Sequence, residues 1–403
     1  MNKTIYLDNN ATTRIAPEVL DAMMPFLRDL YGNPSSMHEF GGQVARHVER
    51  AREQVAAFLN CEPDEVVFTA CATESDNAAI RGAAERLGPG AKIVTTAVEH
   101  PAVLQPCRRL KAAGFAETEL PVDSLGRLDV DALRDELRNC GGKAVVSAMW
   151  ANNETGTVFP IEQIAEACRE FGAVFHTDAV QAAGKVDIDV KKAGVDMLSL
   201  SGHKFHAPKG IGVLYVRRGH PFRPFMLGGH QEGGRRAGTE NVAGIVGLAK
   251  ACQLAAECRG PENERVAAMR DRLEAGILAT CPDVIVNGDR EHRLSNTLNV
   301  SFEYIEGEAI AYRLSDLGIC VSTGSACASG SLDPSHVIRA MGVPFIAVHG
   351  SVRFSLSRYN TMDEIDYTLD RLPGVIRGLR ELSPFGPGSV PTTSGAEERA
   401  MGR

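Results

Sequence analysis

Continuous apolar runs at Val66–Thr69, 93–96, 145–149, 174–176, 197–200 and Gly212–Val216 alternate with helical patterns over 74–87, 102–113, 129–138 and 161–171. That alternation constrains the fold more than any other feature of the chain. A strand exposed on one face alternates polar and apolar residues, so an unbroken apolar run predicts a strand covered on both faces. Such strands, separated by amphipathic helices, predict an α/β fold with a mostly parallel sheet flanked by helices. Sheets of this kind gather their ligands at the carboxyl ends of the strands. Thr73, His100, Asn153, Asp178 and Lys204 each follow an apolar run, which makes that edge the expected site.

The stretch Leu198-Ser199-Leu200-Ser201-Gly202-His203-Lys204-Phe205-His206-Ala207-Pro208-Lys209-Gly210 reads as a strand end and a tight polar loop, ahead of a second buried strand. A lysine held there is desolvated, which disfavours its charged form and suits an amine nucleophile; the plain alternative is a hydrated loop lysine. Just upstream, His176-Thr177-Asp178-Ala179-Val180-Gln181 sets a carboxylate at another strand end. A strand-end aspartate followed by a loop lysine is what a pyridoxal 5'-phosphate (PLP) enzyme needs: the lysine forms the Schiff base and the carboxylate keeps the pyridinium nitrogen protonated.

At 403 residues the chain is long for one core. We expect a large domain over 15–260, a smaller α+β domain from 1–14 and 261–383, with Pro261 at the boundary, and a disordered tail over the Pro/Gly/Ser/Thr-rich residues 384–403. A formal charge of −8 with no basic stripe argues against nucleic-acid and anionic-membrane partners. No run approaches the roughly 18 apolar residues of a membrane span. The first residues show no signal-peptide pattern, and no two of the ten cysteines stand in CxxC spacing. A cytoplasmic protein with reduced thiols is therefore expected.

Further motifs each admit a functional and a structural reading. Ala72 and Thr73 open a helix, where amides and a hydroxyl suit a phosphate; equally, Thr73 could cap the helix with Asp76 answering. His100, between a strand and a helix, could stack on a ring and shuttle protons, or simply cap. Asn152-Asn153-Glu154-Thr155-Gly156 could bind a carboxylate or form a turn. Ser201 and His203 flank Lys204 and could reach a phosphate. Cys327 lies in Ser322-Thr323-Gly324-Ser325-Ala326-Cys327-Ala328-Ser329-Gly330, among small residues rather than apolar neighbours; a mobile nucleophile and an incidental loop thiol both fit. Arg353, alone in the alternating run Ser351-Val352-Arg353-Phe354-Ser355, could clamp an α-carboxylate or face solvent.

Taken together, these motifs resemble the cysteine desulfurases of the class V aminotransferase family, a branch of the fold-type I PLP-dependent transferases. The resemblance runs from Tyr6-Leu7-Asp8-Asn9-Asn10-Ala11-Thr12-Thr13 through 199–210 and 235–241 to Ser325-Ala326-Cys327 and 352–358. Met149-Trp150-Ala151-Asn152-Asn153-Glu154, His203-Lys204-Phe205-His206-Ala207-Pro208-Lys209 and Phe302-Glu303-Tyr304-Ile305-Glu306 make it most similar to the nitrogenase-associated NifS type. The resemblance implies that Lys204 carries PLP, Asp178 pairs with the ring nitrogen, Gln181 bonds the ring oxygen and His100 stacks on the ring. It implies that Ala72, Thr73, Ser201 and His203 hold the phosphate, with Thr239 reaching the phosphate of a neighbouring subunit in a homodimer. Asn153 and Arg353 would bind the substrate carboxylate. Cys327 would take sulfur from L-cysteine as a persulfide, giving L-alanine, and His100 would accept the thiol proton. The sulfur would pass to a NifU-type iron–sulfur scaffold, with Cys327 transiently sharing a cluster as metal ligand. A housekeeping cluster-assembly desulfurase, a selenocysteine lyase and an ordinary class V aminotransferase are the alternatives.

Overall fold

The computed structural model describes residues 4–220, 222–323 and 333–384. In chain order, β1 (Ile5–Tyr6) precedes α1 (Pro17–Arg28) and α2 (Glu39–Leu59). The alternating region runs β2 (Val66–Thr69), α3 (Ala72–Leu87), β3 (Lys92–Thr96), α4 (Pro101–Ala112), β4 (Ala116–Leu120), α5 (Val130–Leu137), β5 (Ala144–Ser147), α6 (Ile161–Glu170), β6 (Val174–Asp178), α7 (Val190–Ala193), β7 (Met197–Ser201) and β8 (Gly212–Val216). Helix α8 (Val242–Thr280) leads to β9 (Val284–Asn287), β10 (Thr297–Phe302), α9 (Gly307–Asp316) and β11 (Ile319–Cys320). After the undescribed residues 324–332 come α10 (His336–Ala340), α11 (Phe345–Val348), β12 (Ser351–Ser355) and α12 (Met362–Leu382).

The apolar runs fold as the pattern predicts. Seven strands form one sheet in the order β2-β8-β7-β6-β5-β3-β4, parallel except for β8, which is antiparallel to β7 and β2. Alternate residues go to opposite faces. Val94, Val146, Phe175 and Leu198 pack into one apolar cluster, and Ile93, Val145, Val174 and Met197 into another. Burying both faces is what forbade polar alternation in these strands. The edge strand β4, Ala-Glu-Thr-Glu-Leu, was not foreseen, because only Leu120 is buried and its other residues meet solvent or ion-pair partners.

A third cluster centres on Leu7, Phe302 and Phe354, with Leu298, Ile277 and Ile365 around them. It lies over the antiparallel sheet β12-β10-β9 and the parallel pair β1-β11. Pro261, expected to separate two helices, lies inside the continuous α8. The N-terminal half of α8 buries Ile245, Leu248 and Cys252 in the first cluster, and its C-terminal half buries Met269, Leu273 and Ile277 in the third. Pro261 removes one amide donor from the helix, and packing on both sides of it outweighs that loss.

Candidate active site

A cavity of about 320 Å³ opens at the carboxyl ends of β5, β6 and β7. Ten of the expected residues line it: Ala72, Thr73, His100, Asn153, Asp178, Gln181, Ser201, His203, Lys204 and Arg353. Thr239 does not. It is exposed in the loop before α8, which Arg236 ties to the start of α3 through a 2.8 Å bond to Glu74. Cys327 lies outside the described residues, as does the tail expected from 384 onward apart from Pro384 itself.

Lys204 ends the single turn Gly202–Lys204 that follows β7. Its ammonium donates to the carbonyls of Asn10 (2.6 Å) and Ala11 (2.9 Å). The loop behind it is pinned by His206, whose left-handed backbone (φ 73°) is held by a 2.8 Å bond from its amide to Thr13 Oγ1 and by contact of Nδ1 with Arg14 O at 2.9 Å. Residues 8–13, which the sequence offered only as part of the family resemblance, therefore build the lysine's cradle. A second half-buried lysine, Lys185, lines a neighbouring pocket with Lys204; burial and the charge of Lys204 lower it to about 7, and its Nζ donates to Gln181 O at 3.1 Å.

Asp178 ends β6, nearly fully buried, and its Oδ1 accepts the Val180 amide at 2.9 Å. Burial raises its pKa to about 6, against the pull of that amide and of Lys204. Gln181, 4% exposed, donates from Nε2 to Asn10 O at 3.0 Å, while its Oε1 has no partner among the described residues. His100 caps α4: its Nδ1 accepts the Ala102 amide at 3.1 Å. Burial, then the positive charge of Lys204, lowers it to about 4. The ring is thus neutral at pH 7 with its hydrogen on Nε2. His203 meets Thr12 Oγ1 through Nδ1 at 3.1 Å and is likewise lowered to about 4, mainly by burial.

The start of α3 comes close because of one glycine. A Cβ on Gly212 would stand 2.8 Å from the Cys71 carbonyl carbon and from Leu200 O, so only glycine lets β8 pass under the helix end. The first-turn amides of α3, with Thr73, Ser201 and His203, then face the cavity together, as an anion requires. The capping-box reading is not realised. Cys71 is the N-cap without a side-chain bond, Glu74 Oε2 accepts the Ala70 amide at 2.8 Å, and Asp76 turns inward.

Arg353 reaches in from β12, 5% exposed. It donates to Asn153 O at 3.0 Å and to Asp8 Oδ1 at 2.8 Å, and its Nε has no partner among the described residues. Asp8 is a site residue that the sequence did not single out. Both flanks of the undescribed segment are fastened beside the cavity. Ser322 exchanges backbone bonds with Arg353 (3.2 and 2.6 Å), Ser335 Oγ donates to Glu154 Oε2 at 2.5 Å, and His336 Nε2 donates to Glu99 O at 2.9 Å. The donor set fits PLP. A helix end and hydroxyls stand ready for a phosphate, a buried carboxylate for a ring nitrogen, an unpartnered amide oxygen beside it and an amine within the same cavity.

Among the described residues no group of three His, Cys, Asp or Glu could hold a metal, and no helix is long and apolar enough to cross a membrane. Five of the nine described cysteines are buried and all nine are free thiols.

Known proteins match along almost the whole chain. The family model described as aminotransferase class-V matches residues 5–368. A cysteine desulfurase of Nostoc sp. is 57% identical over 381 residues, covering 94% of this chain and 95% of its own. The cysteine desulfurase NifS of Azotobacter vinelandii is 54% identical over 388 residues, covering 96% of each. Of solved structures, a NifS-like protein superposes with a TM-score of 0.88 at 39% identity, covering 94% of this chain and 100% of its own. Another, described as SspA in complex with cysteine, gives 0.79 at 36% identity, over 89% and 100%.

Proposed function

The chain belongs to the class-V aminotransferase family, and from that premise we propose that it is a PLP-dependent cysteine desulfurase. The observation that carries the reading is the single cavity in which Lys204, Asp178, His100 and Arg353 meet. We assign Ala72, Thr73, Ser201 and His203 to the cofactor phosphate, Asp178 to the ring nitrogen, Gln181 to the ring oxygen, and His100 to the ring face. Thr239 is assigned to the phosphate in the neighbouring subunit of a homodimer.

PLP, when bound, supplies an electron sink for the substrate Cα. The chain's own residues do the rest. Arg353, with Asn153 beside it, orients the carboxylate of L-cysteine; its guanidinium has an unpartnered Nε to offer. Lys204, which would hold the cofactor through Nζ, would take the α-proton at that same atom. His100 handles a second proton at Nε2, since its Nδ1 is occupied by the Ala102 amide. The Cys327 thiolate attacks the substrate sulfur. The new S–S bond forms as the substrate Cβ–S bond breaks, and a proton completes the methyl group of L-alanine. The reaction balances without an external oxidant, because Cys–SH and cysteine become Cys–S–SH and alanine.

Ser322 pairs with Arg353 beside the cavity, and Cys327 follows five residues later in the chain. The persulfide sulfur goes on to iron–sulfur cluster assembly through a NifU-type scaffold in the cytoplasm, in service of nitrogenase, with Cys327 as a passing ligand to the cluster. Cys327→Ser is expected to keep the cofactor absorbance while sulfide release from cysteine falls by more than about a thousandfold. Retained sulfide release in that variant would remove Cys327 from its role.

A further inference from the structure

Beneath the cavity lies a carboxyl group that none of the assigned roles uses. Asp76, in the second turn of α3, is 1% exposed, lines the cavity, and has no hydrogen-bond partner for either oxygen among the described residues. Its Oδ1 lies 3.5 Å from His176 Nε2. The His176 ring is itself clamped, with Nδ1 2.9 Å from Ser147 Oγ and Nε2 2.9 Å from Ser199 Oγ. We infer that Asp76 is a positioning residue: held as a neutral acid, it confines the negative charge of this buried pair of carboxyls to Asp178, where the cofactor nitrogen needs it. The inference rests on the assignment of Asp178 to that nitrogen.

Two carboxyls in one desolvated site do not both ionise. Asp178 has the backbone amide of Val180 and the nearby charge of Lys204 to favour its anion. Asp76 has neither. Burial, then the charge of Asp178, raises it well above the usual carboxylate range, with Glu99 and Cys71 adding to the rise and Ser199 opposing it. On the packed elements, Arg108, Arg109 and Lys111 of α4 are exposed, two of them paired with Glu119 and Glu117, and the buried titratable groups supply no cation. His176 is lowered to about 3 by burial and stays neutral. Glu99 is itself raised to about 8 by burial. Cys107 of α4 is raised by burial and then by Glu99, and Tyr215 of β8 by burial and then by Glu65.

The test is an infrared difference spectrum between the PLP-loaded protein and its Asp76→Asn variant at pH 7. Loss of a protonated-carboxyl C=O stretch is expected; loss of carboxylate bands alone, as from an ionised Asp76 paired with a charged His176, overturns the inference. Should the variant fail to fold, the unmutated chain labelled with 13C at aspartate Cγ gives the same reading. One resonance is expected at the neutral-acid position at pH 7, and its absence overturns the inference. The pH midpoint of the cofactor absorbance should move in Asp178→Asn and stay within about 0.3 unit of the parent in Asp76→Asn, which keeps a neutral side chain there. An equal move in both variants overturns the role of Asp76. No move in Asp178→Asn would instead sink the assignment of Asp178, whatever the infrared spectrum shows.

Discussion

The two walls of the cavity are made by different means. On the sheet side, Asp178, Ser201 and Lys204 stand at or just after the ends of strands buried on both faces, and the protonation of Asp178 is set chiefly by desolvation. On the opposite side, Arg353, Asp8 and Asn10 come from β12 and the turn after β1, where direct bonds fix the geometry: guanidinium to carboxylate at 2.8 Å, and amide to Thr297 Oγ1 at 2.9 Å. A wall governed by desolvation answers to pH. A wall governed by paired polar groups answers to the loss of a partner, because the survivor is left buried and unsatisfied.

Three experiments can break or sharpen that contrast. The largest effect belongs to the sheet wall: Lys204→Ala should lose the cofactor's visible band and more than about a thousandfold of desulfurase activity, and a normal band would remove the lysine from its place. Next, Arg353→Ala should strand Asp8 and raise KM for cysteine by about a hundredfold, as for truncating a buried charge pair. Asp8→Asn should soften that loss in the double variant, and additive losses would show that the two residues do not act together. The smallest effect is in acid. His100, His203 and His206 are lowered to about 4 and His176 to about 3, burial being the leading cause for each, whereas an unfolded chain protonates its histidines near 6.5. Below about pH 6.5 these histidines bind protons only in the unfolded state and lower stability, while Asp76, Asp178 and Glu99, raised by burial, bind theirs only in the folded state and oppose that loss. The imidazole NMR shifts of the four histidines should therefore hold steady in the folded chain from pH 7 to about 5, and titration near 6.5 would show the sheet wall to be less desolvated than its packing indicates.

The same contrast decided what could be read from the sequence. β2 and β8 match their apolar runs residue for residue, and β6 and β7 within two residues, because burial on both faces leaves a periodic mark. Lys204 and Asp178 were visible because a strand end has a fixed address in such a sheet. The polar wall left no such mark. Asp8 and Asn10 carried no role of their own, since their partners Arg353 and Thr297 stand hundreds of residues away in sequence. Asp76 could be read as answering a Thr73 cap because its spacing from Thr73 fits that motif, and only the register of α3 against β6 and β7 shows that it points inward. Pro261 was read as a boundary because proline alone disfavours helix, while the apolar partners on either side of it are supplied by two different sheets.

Helix α8 carries a mechanical consequence. Its 39 residues make a rod of roughly 58 Å at 1.5 Å per residue, embedded at one end under the lysine's sheet and at the other under the arginine's. Pro261 offers no amide to the carbonyl of Glu257, so the rod is most compliant at that turn. The spacing between the Lys204 amine and the Arg353 guanidinium is thereby coupled to the flexure of one beam, at a point remote from both.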